Sequence, residues 1–337
     1  NIPQFEEVRE SSSTIGNYLL DNAGDNFEVK GILQGYQSNY LIIYGNTNSN
    51  KGFIVILDEN YEPLEYITQY NTGTAFGEFQ ILNVAEDGNL YGIDITSQPR
   101  FIMLNNITLK TPSQSEFTVR LRQSYNLPSP LSTASEYFAI TKAVGQGKYL
   151  IGATIMQGND PYQIATELTI NVGAENDWVN YQDTTSPFVG QSMWASWNEN
   201  VLNFKIGGYV EGSSLFYVEY QKIGENIGKW NMELPTVSGY SEGYYYMDSI
   251  ILNENTAYVG IFDGGEYQTF ENIYLYKIDY ANNQAVQIEK IEGSITVQVL
   301  SYEDRIKFTI TNGTVFFLGK QRLIYGSVND LILNVGI

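Results

Sequence analysis

The sequence repeats a short unit of strand-like runs that are joined by tight turns. Residues 76–110 show this unit most clearly, because they contain the runs EFQILNVAE, NLYGIDIT and RFIMLNNITLK. The first turn is Asp-Gly-Asn, and Gly88 can adopt the positive φ that a tight hairpin requires. The second turn contains Pro99, which ends strand pairing because proline has no N–H. The unit therefore predicts a meander of antiparallel strands.

The same pattern occurs six times along the chain, at intervals of 49 to 59 residues. Aligned on the second strand of each unit, the repeats start at Tyr40, Leu90, Tyr149, Val201, Ala257 and Ile306. Four-stranded units at this spacing are typical of β-propellers, whose sheets pack radially around a channel. We therefore predict an all-β protein, a single β-propeller of six blades with about four antiparallel strands each, over residues 27–337. A pair of β-sandwiches is the alternative architecture.

The segments outside the regular repeats carry separate predictions. Residues 1–26 are expected to be irregular, with a loop at residues 11–14 and a short strand at residues 18–20. The last segment, LILNVGI at residues 331–337, can pair with the N-terminal segment and complete the ring, which would remove an exposed sheet edge. Residues 111–133 contain three prolines and predict a long irregular crossover. Sustained helical periodicity is missing from the sequence, so few helices are expected.

Charge and composition exclude several classes of function. The chain has 38 acidic against 18 basic residues, a net charge of −20, and this repels nucleic acid and anionic membranes. It contains no uninterrupted apolar run of about 18 residues, so we expect no membrane insertion. With no cysteine and no histidine, it lacks the thiolate nucleophile, the commonest general base and the usual transition-metal ligands. We therefore expect a protein without catalytic activity.

Carboxylates are the alternative source of chemistry. Glycoside hydrolases use a pair of them, and a carbohydrate-active propeller enzyme of this kind is the alternative to a binding module. The carboxylates predicted to lie on turns are Asp58, Asp87, Asp94, Asp160, Asp263 and Glu266. Calcium is bound by such oxygen donors, and Asp58, Asn60, Asp263 and Glu266 are the candidate ligands. We predict no other cofactor.

Aromatic clusters give the candidate ligand-binding residues. Aromatics make up 14% of the chain, including 27 tyrosines. Trp194 and Trp197 are three residues apart, a run of three tyrosines follows at residues 244–246, and Tyr267 comes shortly after. Tyrosine and tryptophan combine an apolar face with a hydrogen-bonding edge, which suits stacking on sugars or anchoring a protein partner. The same residues also suit core packing between blades. The predicted ligand-binding residues are Trp194, Trp197, Tyr244, Tyr245, Tyr246 and Tyr267.

Strands rich in tyrosine, asparagine and glycine, such as EDGNLYGIDI and ENIYLYKIDY, give residues 27–337 a resemblance to one family. The chain resembles propeller domains in tail and receptor-binding proteins of bacteriophages that infect Gram-positive bacteria. The resemblance implies a structural or binding module of the virion that contacts cell-surface carbohydrate or other structural proteins and can form a homo-oligomer. Recognition would be shallow and polyvalent, with avidity from many copies. A scaffold propeller that is extracellular or on the bacterial cell surface is a further alternative.

Overall fold

The computed structural model describes residues 5–10, 14–34, 40–107, 117–182, 189–199, 201–209, 215–222, 228–233, 245–265, 269–280, 282–298, 307–311, 314–318 and 323–328. These residues form one α-helix, one short 3-10 helix at Leu131–Thr133 and 24 strands. The chain divides into two compact units. The first unit comprises residues 7–132 and 306–326, and the second comprises residues 1–6, 133–305 and 327–337.

Two four-stranded sheets follow each other in the first unit. Sheet I contains β2 (Glu28–Gln34), β3 (Leu41–Asn46), β4 (Gly52–Leu57) and β5 (Pro63–Ile67). Sheet II contains β6 (Glu78–Val84), β7 (Asn89–Ile95), β8 (Pro99–Asn106) and β9 (Leu121–Asn126).

Three further sheets lie in the second unit. Sheet III contains β10 (Glu136–Lys142), β11 (Lys148–Gln157), β12 (Asp160–Thr169) and β13 (Asp177–Gln182). Sheet IV contains β14 (Val189–Asn198), β15 (Val201–Tyr209), β16 (Leu215–Lys222) and β17 (Gly228–Glu233). Sheet V contains β18 (Tyr245–Ile251), β19 (Thr256–Gly265), β20 (Thr269–Asp279) and β21 (Gln284–Gln298).

Sheet VI joins the two ends of the chain. Its order is β22 (Lys307–Thr311), β23 (Thr314–Leu318), β24 (Leu323–Val328) and then the N-terminal strand β1 (Phe5–Glu10). The described part of the chain thus contains six four-stranded sheets, antiparallel wherever their register is described. This confirms the predicted all-β propeller fold. Residues 331–337, which were expected to pair with the N-terminal segment, lie outside the described residues.

Three local predictions are wrong. The strand expected at residues 18–20 and the last residue of the loop expected at 11–14 lie in helix α1 (Thr14–Ala23), because Ile15, Leu19 and Ala23 share one helix face and are buried against sheet I. Residues 11–13 lie outside the described residues. Residues 121–126 of the expected crossover form β9, an edge strand whose largely exposed polar side chains give no apolar alternation. In the sixth repeat, the segment aligned as a second strand is β22, the first strand of its sheet.

A β-bulge interrupts the first strand of sheets I to IV. The extra residues are Lys30, Gln80, Phe138 and Gln191. Close backbone approach at two bulges requires glycine in the second strand, since a Cβ at Gly45 or Gly92 would lie 2.0 Å from a carbonyl oxygen of the first strand. The bulge therefore sets the register of the sheet.

The bulge of β6 exposes backbone groups that Asn46 satisfies. Asn46 is only 2% exposed at the end of β3. Its side-chain Nδ2 donates to the Phe79 carbonyl at 2.9 Å, and its Oδ1 accepts from the Phe79 N–H at 2.8 Å. One amide side chain thus ties sheet I to sheet II.

A buried ion pair spans the hairpin between β7 and β8. Arg100 Nε lies 2.8 Å from Asp94 Oδ1, and Arg100 Nη2 lies 3.1 Å from Asp94 Oδ2. The Asp94 side chain is fully buried, and burial raises its pKa, although the hydrogen bond and charge of Arg100 oppose this. Asp94 lies on β7 and Asp263 on β19, so the expectation that both occupy turns is wrong. Asp94 is therefore part of a buried ion pair with Arg100.

Replacing Asn46 by alanine is expected to lower the free energy of unfolding by about 1–3 kcal/mol, because both backbone groups of Phe79 lose buried partners. Urea denaturation measures this. Asn60→Ala is the matched control, since Asn60 is exposed in a turn, and we expect a change within about 0.5 kcal/mol. Equal losses in the two variants would contradict the bridging role of Asn46.

Removing one partner of the Asp94–Arg100 pair is expected to destabilise the protein more than Asn46→Ala does. Asp94→Asn and Arg100→Leu should each cost about 3–5 kcal/mol, because each leaves a buried polar or charged group unpaired. The free energy of unfolding of the double variant should fall by clearly less than the sum of the losses in the two single variants. A double-mutant cycle by denaturation measures the coupling, and strict additivity would show that the pair does not act as a unit.

Candidate functional site

The two predicted tryptophans lie on β14, the first strand of sheet IV, but on opposite faces. A spacing of three residues reverses the side-chain direction in a strand. Trp197 packs with Met193 and Ala195 against a core that includes Leu150 and Ala165 of sheet III. Trp194 is paired across the strands with Lys205, on the face toward sheet V. The structure therefore places these tryptophans at two different sites within the second unit.

The site between sheets III and IV, here called the acidic site, contains Glu167, Tyr181, Trp197 and Phe204. The Trp197 indole Nε1 donates to Glu167 Oε2 at 2.7 Å. The rings of Tyr181 and Phe204 lie 5.6 Å apart between centroids, inclined by 59°. Burial, and secondly the charge of Glu167, raise the pKa of Tyr181. The site combines one carboxylate with three aromatic rings from four different strands.

Glu167 is the unusual group of this site. The residue is only 7% exposed, on the third strand of sheet III. Its Oε2 accepts the indole hydrogen bond, whereas the described residues supply no hydrogen-bond donor to its Oε1. Glu167 Oε1 therefore keeps lone pairs that can accept further hydrogen bonds.

The site between sheets IV and V, here called the lysine site, contains Trp194, Lys205, Glu254 and Tyr280. Lys205 Nζ lies 5.8 Å from the centroid of the Trp194 ring and 5.1 Å from that of Tyr280. It also donates to the Glu254 carbonyl oxygen. The Tyr280 hydroxyl donates to the Asn253 carbonyl at 2.8 Å. Two aromatic faces and a backbone acceptor thus hold an ammonium group.

Burial governs ionisation in the lysine site. Burial lowers the pKa of Lys205, and the charge of Glu254 partly opposes the shift. The pKa of Tyr280 is raised, first by burial and then by the charges of Glu254 and Asp279. Lys205 is therefore held by protein groups inside a partly desolvated, acidic setting.

Comparison of the repeats shows that both charged residues occupy positions that are apolar in an equivalent sheet. Counted from the first-strand bulge, Ile42 of sheet I, Leu150 of sheet III and Lys205 of sheet IV share one second-strand position. On the third strand, Ile56 pairs with Ile42 in sheet I, and Glu167 pairs with Leu150 in sheet III. We call these equivalent positions the inter-sheet row. Two charged residues of this row contact β14: Glu167 binds Trp197 on one face of the strand, and Lys205 lies near Trp194 on the other.

Several predicted residues are not tested by the structure. Tyr244, Tyr267 and Glu266 lie outside the described residues. Tyr245 and Tyr246 lie on β18 and Asp263 on β19, where the backbone of Tyr245 pairs with that of Asp263; their side chains are outside the described part. Their proposed roles in ligand or metal binding stay predictions.

Asp58, one of the predicted calcium ligands, forms hydrogen bonds within its own turn. Asp58 Oδ1 accepts from the backbone N–H of Asn60 at 2.8 Å and of Glu62 at 3.0 Å, which builds the turn after β4. The Asn60 side chain is exposed. Over the described ranges, no group of three or more acidic, histidine or cysteine residues is arranged to hold a metal ion. Likewise, none of the helices in these ranges is long and apolar enough to cross a membrane.

Sequence reasoning missed Glu167, Tyr181, Lys205 and Tyr280. The signal for the two charged residues was present, because each interrupts an apolar strand: IATELTI around Glu167 and VLNFKIGG around Lys205. Aligning the repeats by their bulges distinguishes both, but the bulges are known only from the strand register of the structure. The two tyrosines are typical strand residues and carried no such signal.

No protein-family model matches the chain, and no curated protein matches it. Solved structures similar to it are propellers of low sequence identity. A variant of the Aleuria aurantia lectin in complex with α-methyl-L-fucoside is 9% identical, with 90% of this chain and 95% of that chain covered and a TM-score of 0.48. The SapL1 lectin with α-methyl fucoside is 12% identical, with coverages of 80% and 81% and a TM-score of 0.45.

The β-propeller domain of the Trilobed protease from Pyrococcus furiosus, described as having an open velcro topology, is also similar. It is 10% identical, covers 86% of this chain and 78% of its own, and has a TM-score of 0.38. The WD40 domain of SCAP from fission yeast is 8% identical, with coverages of 90% and 95% and a TM-score of 0.39. At such identities the likeness concerns the fold.

If Glu167 serves a ligand rather than the fold, removing the polar pair should not weaken the protein. We expect the double variant Glu167→Leu with Trp197→Phe to be as stable as the parent or more stable, because it restores an apolar inter-sheet row and leaves no unpaired donor. Glu167→Leu alone should cost about 1–3 kcal/mol through the unpaired indole N–H. Urea denaturation measures both. A loss above about 2 kcal/mol in the double variant would mean that the pair holds the sheets together.

Proposed function

We propose that the chain is a non-catalytic binding module that recognises carbohydrate at the acidic site. The supporting observation is the largely buried Glu167 carboxylate, which keeps one oxygen without a described donor beside Trp197 and Tyr181. Sugars present hydroxyl donors on their edges and apolar C–H faces, so a carboxylate next to aromatic rings matches their chemistry. The net charge of −20 favours neutral or cationic ligands over anionic ones.

The number of carboxylates favours binding over hydrolysis. Glycoside hydrolysis normally uses two carboxyl groups on opposite sides of the scissile bond. The described acidic site contributes one, Glu167, and its Oε2 is already hydrogen-bonded to Trp197. This arrangement orients a ligand and supplies neither a second acid nor a second base. The carbohydrate-active enzyme remains the alternative that product analysis addresses.

Binding to a glycan panel, followed by calorimetric titration of the strongest ligand, tests the proposal. Trp197→Ala and Glu167→Gln should each weaken binding by about tenfold or more, because they remove a stacking face and a charged acceptor. Trp178→Ala is the matched control, since Trp178 lies on the opposite face of sheet III from Glu167. Unchanged affinity in both site variants, with folding verified by circular dichroism, would overturn the proposal.

We further propose that the module works in many copies on a virion tail or fibre, with an extracellular or bacterial cell-surface location as the alternative. The support is the family resemblance of the tyrosine- and asparagine-rich strands described above. Multivalent presentation would convert weak single sites into firm attachment.

The multivalent proposal predicts that a tetramerised form of the chain binds whole Gram-positive cells at least about a hundredfold more tightly than the single chain. Flow cytometry with labelled protein measures this. Equal binding by the two forms would contradict polyvalent attachment, and the Trp197→Ala tetramer serves as the matched control.

A further inference from the structure

We infer that the acidic site recognises an ammonium-bearing sugar, that is, a glycan with a free amino group, in preference to its neutral or N-acetylated counterpart. The inference rests on the proposed carbohydrate function and specifies the ligand class of the same site. The inference depends on the hydrogen bonds and the charge of Glu167. One carboxylate oxygen is satisfied by the neutral indole N–H of Trp197, and the negative charge of the group has no cation among the hydrogen-bond and ion-pair partners described for it.

The charge of Glu167 favours a cationic ligand. The side chain is largely covered, with 7% exposed, and a hydrogen bond from a charged donor to a carboxylate is stronger than one from a neutral donor. A sugar hydroxyl would supply a hydrogen bond without balancing the charge. A sugar ammonium would supply both.

The aromatic rings of the site favour the same ligand. An ammonium group is attracted to the faces of tryptophan and tyrosine. Trp197 meets the carboxylate through its N–H edge, and Tyr181 lies opposite Ala165 on the next strand, two residues along β12 from Glu167. A neutral N-acetyl group would gain only the apolar part of this contact. Rings and carboxylate together therefore select a cation.

The neighbouring lysine site shows the same chemistry inside this protein. There, Trp194 and Tyr280 flank the ammonium of Lys205, and the Glu254 carbonyl accepts its hydrogen bond. Both sites border β14, and both use a charged residue of the inter-sheet row. The lysine site carries its own ammonium, whereas the acidic site presents the acceptor and the rings without one. The net charge of −20 adds long-range attraction for a cationic ligand.

The test compares two matched probes, the β-1,4-linked glucosamine tetramer and its fully N-acetylated form, by calorimetric titration of the full chain. The pH is kept low enough to protonate the sugar amines. We expect the amine form to bind at least about tenfold more tightly. Glu167→Gln should abolish this preference while preserving the side-chain shape. Asp160→Asn is the control, because it removes the same charge from an exposed position on the same strand.

Three other results would overturn the ammonium inference. Equal, Trp197-dependent binding of both tetramers overturns the ammonium inference and leaves the carbohydrate function standing. A preference that Glu167→Gln and Asp160→Asn weaken equally assigns it to overall charge and also overturns the inference. Absence of Trp197-dependent binding by the amine form overturns it whatever the glycan panel shows, since that panel decides the proposed function separately.

Discussion

The bulge in the first strand is the constraint on which the arrangement of sheets I to IV depends. One extra residue shifts the register between the first two strands and so sets which of their residues lie on the same face of the sheet. Within the first unit, Asn46 uses the backbone groups freed at one bulge to join two sheets. The register of the first two strands and the link between sheets I and II therefore depend on this feature.

A charged residue in the inter-sheet row is costly because the row is otherwise a packing surface. The two exceptions have different partners. Two aromatic rings and a carbonyl acceptor surround the Lys205 ammonium, although burial lowers the pKa of Lys205. Glu167 receives one neutral hydrogen bond from Trp197. We propose that Glu167, which has one oxygen without a described donor, belongs to a ligand site, and that Lys205, which has several protein partners, is a structural clasp.

The sequence predicted the repeat well because alternating apolar residues and Gly-rich turns are local signals. It failed where structure depends on distant partners. Helix α1 was missed because the i, i+4, i+8 spacing of Ile15, Leu19 and Ala23 extends over only one ten-residue helix, and β9 because an exposed edge strand needs no apolar face. The two tryptophans were singled out by residue type, and their role in ligand binding stays a prediction. Their opposite directions, and the approach of Glu167 from another sheet, depend on register that local sequence does not reveal.

A crystal structure of the chain with the glucosamine tetramer tests the central claim most directly, because it locates the ligand relative to Glu167. The account predicts density for a sugar amine within hydrogen-bond distance of Glu167 Oε1, with the pyranose ring against Trp197 or Tyr181. A tetramer bound elsewhere, with the Glu167–Trp197 pair unchanged and closed to solvent, would show that the pair belongs to the packing between sheets and would contradict the account.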